Sequence, residues 1–184
     1  MIGQKFLNVG MRGFALVMSS EERQAPPPIP IVRDETAMMR ALQAEHAAVE
    51  RAERTCGLVI AKPDALDGVP EGSLVAAVGE RFSRCLRPYD GLFVFGADRL
   101  LITLPHIEYE DTLAVMNRLC GQISGEPLQI EGGMASATVS AGGAMIDPAL
   151  ALQDNIDRAD QALYEAWRTG GNRACLWSED LGVV

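Results

Sequence analysis

Positive charge is in short supply in this sequence. Sixteen lysines and arginines stand against 25 aspartates and glutamates, a formal net charge of −9. That balance disfavours wholesale binding to DNA, RNA or an anionic membrane. An anionic small ligand would need a local pocket of arginines. Cysteine and histidine are few and dispersed. Cys56, Cys85, Cys120 and Cys175 show no C-x-x-C spacing, so they read as reduced thiols of a cytosolic protein rather than disulfides or metal ligands. His46 and His106 are isolated and read as helix or loop residues. Long apolar runs are missing too. The stretch "GFALVM" (Gly13–Met18) is too short to span a membrane, and the start of the chain lacks a signal-peptide cleavage pattern.

What is present suits a globular domain. Of the 184 residues 48% are apolar and 5% aromatic, enough for one packed core. Residues 1–33 read as an appendage ending in the stiff Pro-rich linker "APPPIP", and residues 34–184 as the domain. The stretch Arg33–Arg54 has helical character, with Asp34 or Thr36 as cap and Glu50 four residues before Arg54. "CGLVIA" (Cys56–Ala61) is a buried strand. Ser73–Leu86 is a second helix and Glu110–Ser124 a third. "ASATVSAGGAMI" (Ala135–Ile146) is a strand, Asp147–Gly171 is helical in two pieces ending at a glycine pair, and Ala174–Ser178 is a last strand. Between the second and third helices, "GLFVF" and "LLITL" flank "GADR" and form a β-hairpin. Helices interleaved with an antiparallel hairpin indicate an α+β fold, a sheet with helices packed on it. On the long helix Trp167 continues the stripe Ile156, Ala159, Leu163, so it is expected to be buried and structural.

The hairpin carries a recognisable pattern. Arg87-Pro88-Tyr89-Asp90 is followed by five residues and then Gly96-Ala97-Asp98-Arg99-Leu100. Further on come "TVSAGGA" and "ADQALYEAWRTGGNR". In order and spacing these resemble diguanylate cyclase, or GGDEF, domains, which carry R-x-x-D, five residues and G-G-[DE]-E-F at a hairpin tip. The resemblance runs from about Arg33 to Trp177. It implies a central, mostly antiparallel five-stranded sheet flanked by helices, related to the nucleotide cyclase palm.

Family members join two GTP molecules into cyclic di-GMP with two Mg²⁺ held by carboxylates. Here the signature's metal-binding glutamate is Arg99 and its second glycine is Ala97. Ala61 or Lys62 takes the place of a metal-binding aspartate, and Ser73 that of a guanine-reading one. Trp167 and Gly171 stand where a lysine and an arginine meet the triphosphate. These departures suggest a degenerate domain that is not an enzyme, with no catalytic residues, no metal and no cofactor; Asp98 then becomes a turn residue. The R-x-x-D implies a cyclic di-GMP inhibitory site. Arg87 and Asp90 match it, and Arg118 lies where the family has a further arginine, expected to be solvent-accessible. The resulting expectation is a bacterial, cytoplasmic cyclic di-GMP receptor that works by association with itself or a protein partner. The alternative is a ligand-independent scaffold using the same fold.

Overall fold

The computed structural model describes residues 27–178. Residues 1–26 of the appendage lie outside the described residues. The elements run α1 (Glu35–Glu50), β1 (Cys56–Pro63), α2 (Glu71–Cys85), β2 (Gly91–Phe95), β3 (Arg99–Pro105), α3 (Tyr109–Ser124), β4 (Leu128–Ile130), β5 (Gly133–Ala135), β6 (Val139–Met145), α4 (Leu152–Arg168) and β7 (Ala174–Leu176). Five strands form one sheet in the order β2-β3-β1-β6-β7. All neighbours are antiparallel except β6 and β7, which are parallel. The expected α+β architecture is the observed one.

Burial on both faces explains why β1 is apolar throughout rather than alternating. Side chains along a strand point to opposite faces. Val59 and Ala61 therefore join one core with Leu74, Val78 and Phe82 of α2 and Met116 of α3. Leu58 and Ile60 join the other with Met38 and Leu42 of α1 and Ile156, Ala159 and Leu163 of α4. The glycine pair of β6 sets how closely α4 sits. A Cβ on Gly142 would lie 1.9 Å from the backbone nitrogen of Leu163 and 2.4 Å from the Ala159 carbonyl oxygen, so the helix backbone rests directly on the strand.

Helix α1 begins at Asp34, whose side chain accepts from the Ala37 backbone N–H at 3.0 Å. The helix ends at Glu50, so Arg54 lies beyond it; rather than Glu50, it pairs with Glu45 at 2.9 Å. The stretch after β6 is one helix, not two pieces. Residues 147–151 form a turn, and the fully buried Asn155 side chain accepts from the Asp147 N–H at 2.8 Å and donates to the Asp147 and Ala151 carbonyls. Pro148 suits such a turn because it cannot supply a helical N–H. The β4–β5 hairpin was not anticipated. Each strand has only three residues, too few to show a period, and only Gly132 (φ 98°) and Gly133 (φ 142°) mark the turn.

The described end of the Pro-rich stretch is docked on the domain. Ile29 is buried and its N–H donates to the Ser83 carbonyl at 2.9 Å. Val32 bridges in parallel to Phe93 on the outer edge of β2, with backbone bonds to Leu92 and Val94. This strap covers an otherwise open sheet edge and brackets the loop that joins α2 to β2.

Candidate functional site

That loop carries the R-x-x-D. Helix α2 stops at Cys85, and Leu86 turns the chain into an extended conformation with its side chain buried. Arg87 to Asp90 then form a β-turn, with the Asp90 N–H donating to the Arg87 carbonyl at 3.0 Å. Pro88 at the second position presets the φ that such a turn needs. The Asp90 carboxylate closes the turn, its Oδ2 accepting from the Arg87 N–H at 2.7 Å. The guanidinium of Arg87 is left free of its own aspartate. It donates to the Tyr89 hydroxyl at 3.3 Å and lies 6.0 Å from that ring's centre.

Arg118 reaches the same place from α3. It is exposed, as expected from its position opposite the buried Met116, Cys120 and Ile123. Its Nη2 donates to the Cys85 carbonyl at the end of α2, at 3.3 Å. Burial raises the pKa of Asp90 above the usual carboxylate range. The Arg87 N–H and the charges of Arg87 and Arg118 work against that rise. The fold thus brings Arg118 of α3 to the end of α2, two residues before the Arg87–Asp90 turn. An arginine fork suits guanine O6 and N7 or a phosphate. An ionised aspartate accepts N–H bonds from guanine N1 and N2.

A second concavity, of about 550 Å³, opens between the β2–β3 tip and α4. On its floor Lys62 donates to Asp98 Oδ2 at 2.5 Å, and Arg99 Nε lies 3.7 Å from Asp98 Oδ1. Arg99 also donates to Asp160 on α4 at 2.7 Å and covers the Phe95 ring at 4.7 Å. The Lys62 hydrogen bond holds the Asp98 carboxyl below its ordinary pKa. Asp98 is therefore more than a turn residue, since it stands between Lys62 and Arg99 in a charged chain that ties the hairpin tip to β1 and α4. Sequence reasoning also missed Asp64. It accepts from Thr138 Oγ1 at 2.5 Å, Ser140 Oγ at 2.6 Å and the Asn172 N–H at 3.1 Å, fastening the loop after α4 to the end of β1. Only the short "KPD" after an apolar strand could have hinted at it.

Trp167 is not buried. It is 62% exposed and lines this cleft beside Tyr164, which is 60% exposed. The stripe Ile156, Ala159, Leu163 continues through Ala166, which is fully buried. One residue further turns Trp167 by about 100° off the sheet. Among the described residues no three His, Cys, Asp or Glu side chains lie together as metal ligands. The donor set around Asp98, one carboxylate between a lysine and an arginine, does not fit a divalent cation. Cys56 and Cys120 are thiols pushed up to about 12 by burial.

The family model for "Diguanylate cyclase, GGDEF domain" matches residues 71–173, more than half of the chain. The chain belongs to the GGDEF domain family. Among its curated relatives, diguanylate cyclase DosC of Escherichia coli (strain K12) is 30% identical over 109 residues, 59% of this chain and 24% of that protein. Diguanylate cyclase DgcZ of the same strain is 28% identical over 98 residues, 53% of this chain and 33% of that protein. This GGDEF chain thus spans about a quarter to a third of the length of these relatives. The solved GGDEF domain of DgcB from Caulobacter crescentus, in complex with c-di-GMP, shares the fold with a TM-score of 0.69 at 20% identity, covering 79% of this chain and 91% of that one.

These findings correct one expectation. The sequence departures suggested a domain that is not an enzyme. The matching family is that of diguanylate cyclases and the curated relatives carry that enzyme's name, so the family points to an enzyme. No helix among the described residues is long and apolar enough to cross a membrane.

Proposed function

We propose that this GGDEF domain acts in bacterial signalling as a cyclic di-GMP receptor, binding the ligand at Arg87, Asp90 and Arg118. The observation that carries the reading is that Arg118 of α3 donates to the Cys85 carbonyl at 3.3 Å, two residues before the turn that Arg87 and Asp90 close. One face then offers two cationic forks and one acceptor, the complement of a guanine edge beside a phosphate. Two arginines also offset the two negative charges of the ligand within an acidic chain. That the related DgcB domain was solved in complex with c-di-GMP supports the choice of ligand. The proposal places the domain in the cytoplasm, where cyclic dinucleotides are made and read.

Binding involves more than one chain. An intercalated ligand dimer presents four guanines and four phosphate charges, more than three side chains on one face satisfy. Further cations therefore come from a second copy or a protein partner. The structurally similar diguanylate cyclase SiaD from Pseudomonas aeruginosa was solved in complex with a protein, its activator SiaC. Titration calorimetry with cyclic di-GMP, paired with sedimentation with and without ligand, tests both clauses. Binding that weakens in Arg87→Ala, together with faster sedimentation of the liganded protein, is the expected result. No heat at 100 µM ligand, a level of about ten times a 10 µM Kd, would contradict the site. Tight binding without a sedimentation change would remove the association clause and keep the site.

A further inference from the structure

The R-x-x-D turn holds a residue that neither the two arginines nor the aspartate accounts for. Tyr89 is 55% exposed at the third position of the turn, in a chain with three tyrosines. An exposed aromatic at a turn is ordinary by itself. This one is held from two sides. Its ring meets the edge of His106 at 6.5 Å between centroids and 85° between planes. Its hydroxyl accepts from Arg87 Nη1 at 3.3 Å. The backbone around the ring is constrained. His106 sits in the left-handed region at φ 55°, and its N–H donates to the Thr55 carbonyl at 2.8 Å. Pro88 locks the residue before Tyr89.

Resting on the cyclic di-GMP reading above, we propose that Tyr89 is a base-stacking residue of the Arg87–Asp90–Arg118 site, its exposed ring receiving the face of a ligand guanine. Stacking of unpaired bases on aromatic side chains is a general recognition mode for nucleotides outside a duplex. The edge contact with His106 orients the ring before binding, which reduces the freedom lost on stacking. The three polar residues read the edge and the phosphate, and the fourth reads the flat face. Arg87 links the two roles, since its guanidinium lies at the hydroxyl end of the ring, 6.0 Å from the ring centre, and leaves the face open. Stacking of this kind changes affinity by about 5- to 150-fold per base on alanine substitution.

The test compares Tyr89→Ala, Tyr89→Phe and Arg87→Ala by titration calorimetry with cyclic di-GMP. Transfer of magnetisation from the Tyr89 ring protons to guanine H8 is followed in the complex. Tyr89 is exposed, so all its variants are expected to fold and melt like the parent. Stacking predicts that Tyr89→Phe binds within about threefold of the parent while Tyr89→Ala binds about 5- to 150-fold more weakly. It also predicts direct transfer between the ring and H8. If Tyr89→Ala binds like the parent while Arg87→Ala does not bind, stacking is wrong and the site stands. If Tyr89→Phe is as weak as Tyr89→Ala, the residue acts through its hydroxyl on Arg87, and stacking is again wrong. A parent protein that does not bind removes the site and the role of Tyr89 with it.

Discussion

Replacing Arg118 with alanine separates ligand binding from folding. The side chain is exposed, and its one hydrogen bond is the 3.3 Å contact to the last carbonyl of α2. An exposed bond of that length contributes at most about 1 kcal/mol, and for a domain of this size that lowers Tm by at most about 4 °C. Under the proposed receptor reading its part in binding is larger. A hydrogen bond to a charged group is worth about 1.5–3 kcal/mol, which is about 10- to 150-fold in affinity. A second effect adds to the first. Arg118 is one of the charges that keep Asp90 ionised against its burial, so its removal raises that carboxyl further and weakens the acceptor. The deficit of Arg118→Ala should therefore widen as the pH is lowered. The assay is calorimetry with cyclic di-GMP at two pH values, beside a thermal melt of the free protein. Unchanged affinity in Arg118→Ala would refute the reasoning. So would a loss of stability as large as the loss of binding, because Arg118 would then be a structural residue.

Three further outcomes follow from the same geometry. Asp90 is raised by burial, so the folded state holds its proton more tightly than the unfolded state. Its contribution to stability then falls as the pH rises from the ordinary aspartate range through the raised value. Binding runs the other way, being lost on acidification at a pH above that of an ordinary aspartate; a carboxyl-carbon NMR titration beside binding at each pH checks both signs. Asp98 is the opposite case: Lys62 depresses its pKa, adding stability that is lost as the pH falls through the depressed value. Lys62→Met should return Asp98 upward and reduce that acid-side dependence, with Arg99 still beside the carboxyl, and an unmoved titration would refute the pairing. Trp167→Ala should cost about 1.5–2.5 kcal/mol, because the residue is already 62% exposed and only about a third of its roughly 150–250 Å² of area is left to uncover. A melt showing the 3–5 kcal/mol typical of a buried tryptophan would contradict the exposed position.

Local signals were legible in the sequence and tertiary ones were not. Of the two candidate caps, Asp34 and Thr36, the first starts α1, and the two-sided burial of Leu58–Ala61 produced the unbroken apolar run that marked β1. The Gly170–Gly171 pair closes α4 as expected, with φ of 120° and 68°. Trp167 failed because two continuations of one helical stripe, at 166 and 167, differ by a single residue and the sheet chose the small one. Lys62 meets Asp98 across 36 residues, through the pairing of β1 with β3 that brings the strand end to the hairpin tip. Composition cannot convey that. Asp64 and the turn around Asn155 are polar staples whose partners lie in other elements or hide among ordinary loop residues. The R-x-x-D spacing singled out Arg87 and Asp90, which the structure closes into one turn. The meeting with Arg118 depended on α3 crossing beside the end of α2.

The most direct measurement is a map of backbone amide shifts across the isotopically labelled chain as cyclic di-GMP is added. The account predicts changes centred on Arg87 to Gly91 and around Arg118, with Lys62, Asp98, Tyr164 and Trp167 at the other concavity unmoved. Shifts confined to that second cleft, or none at all, would contradict it.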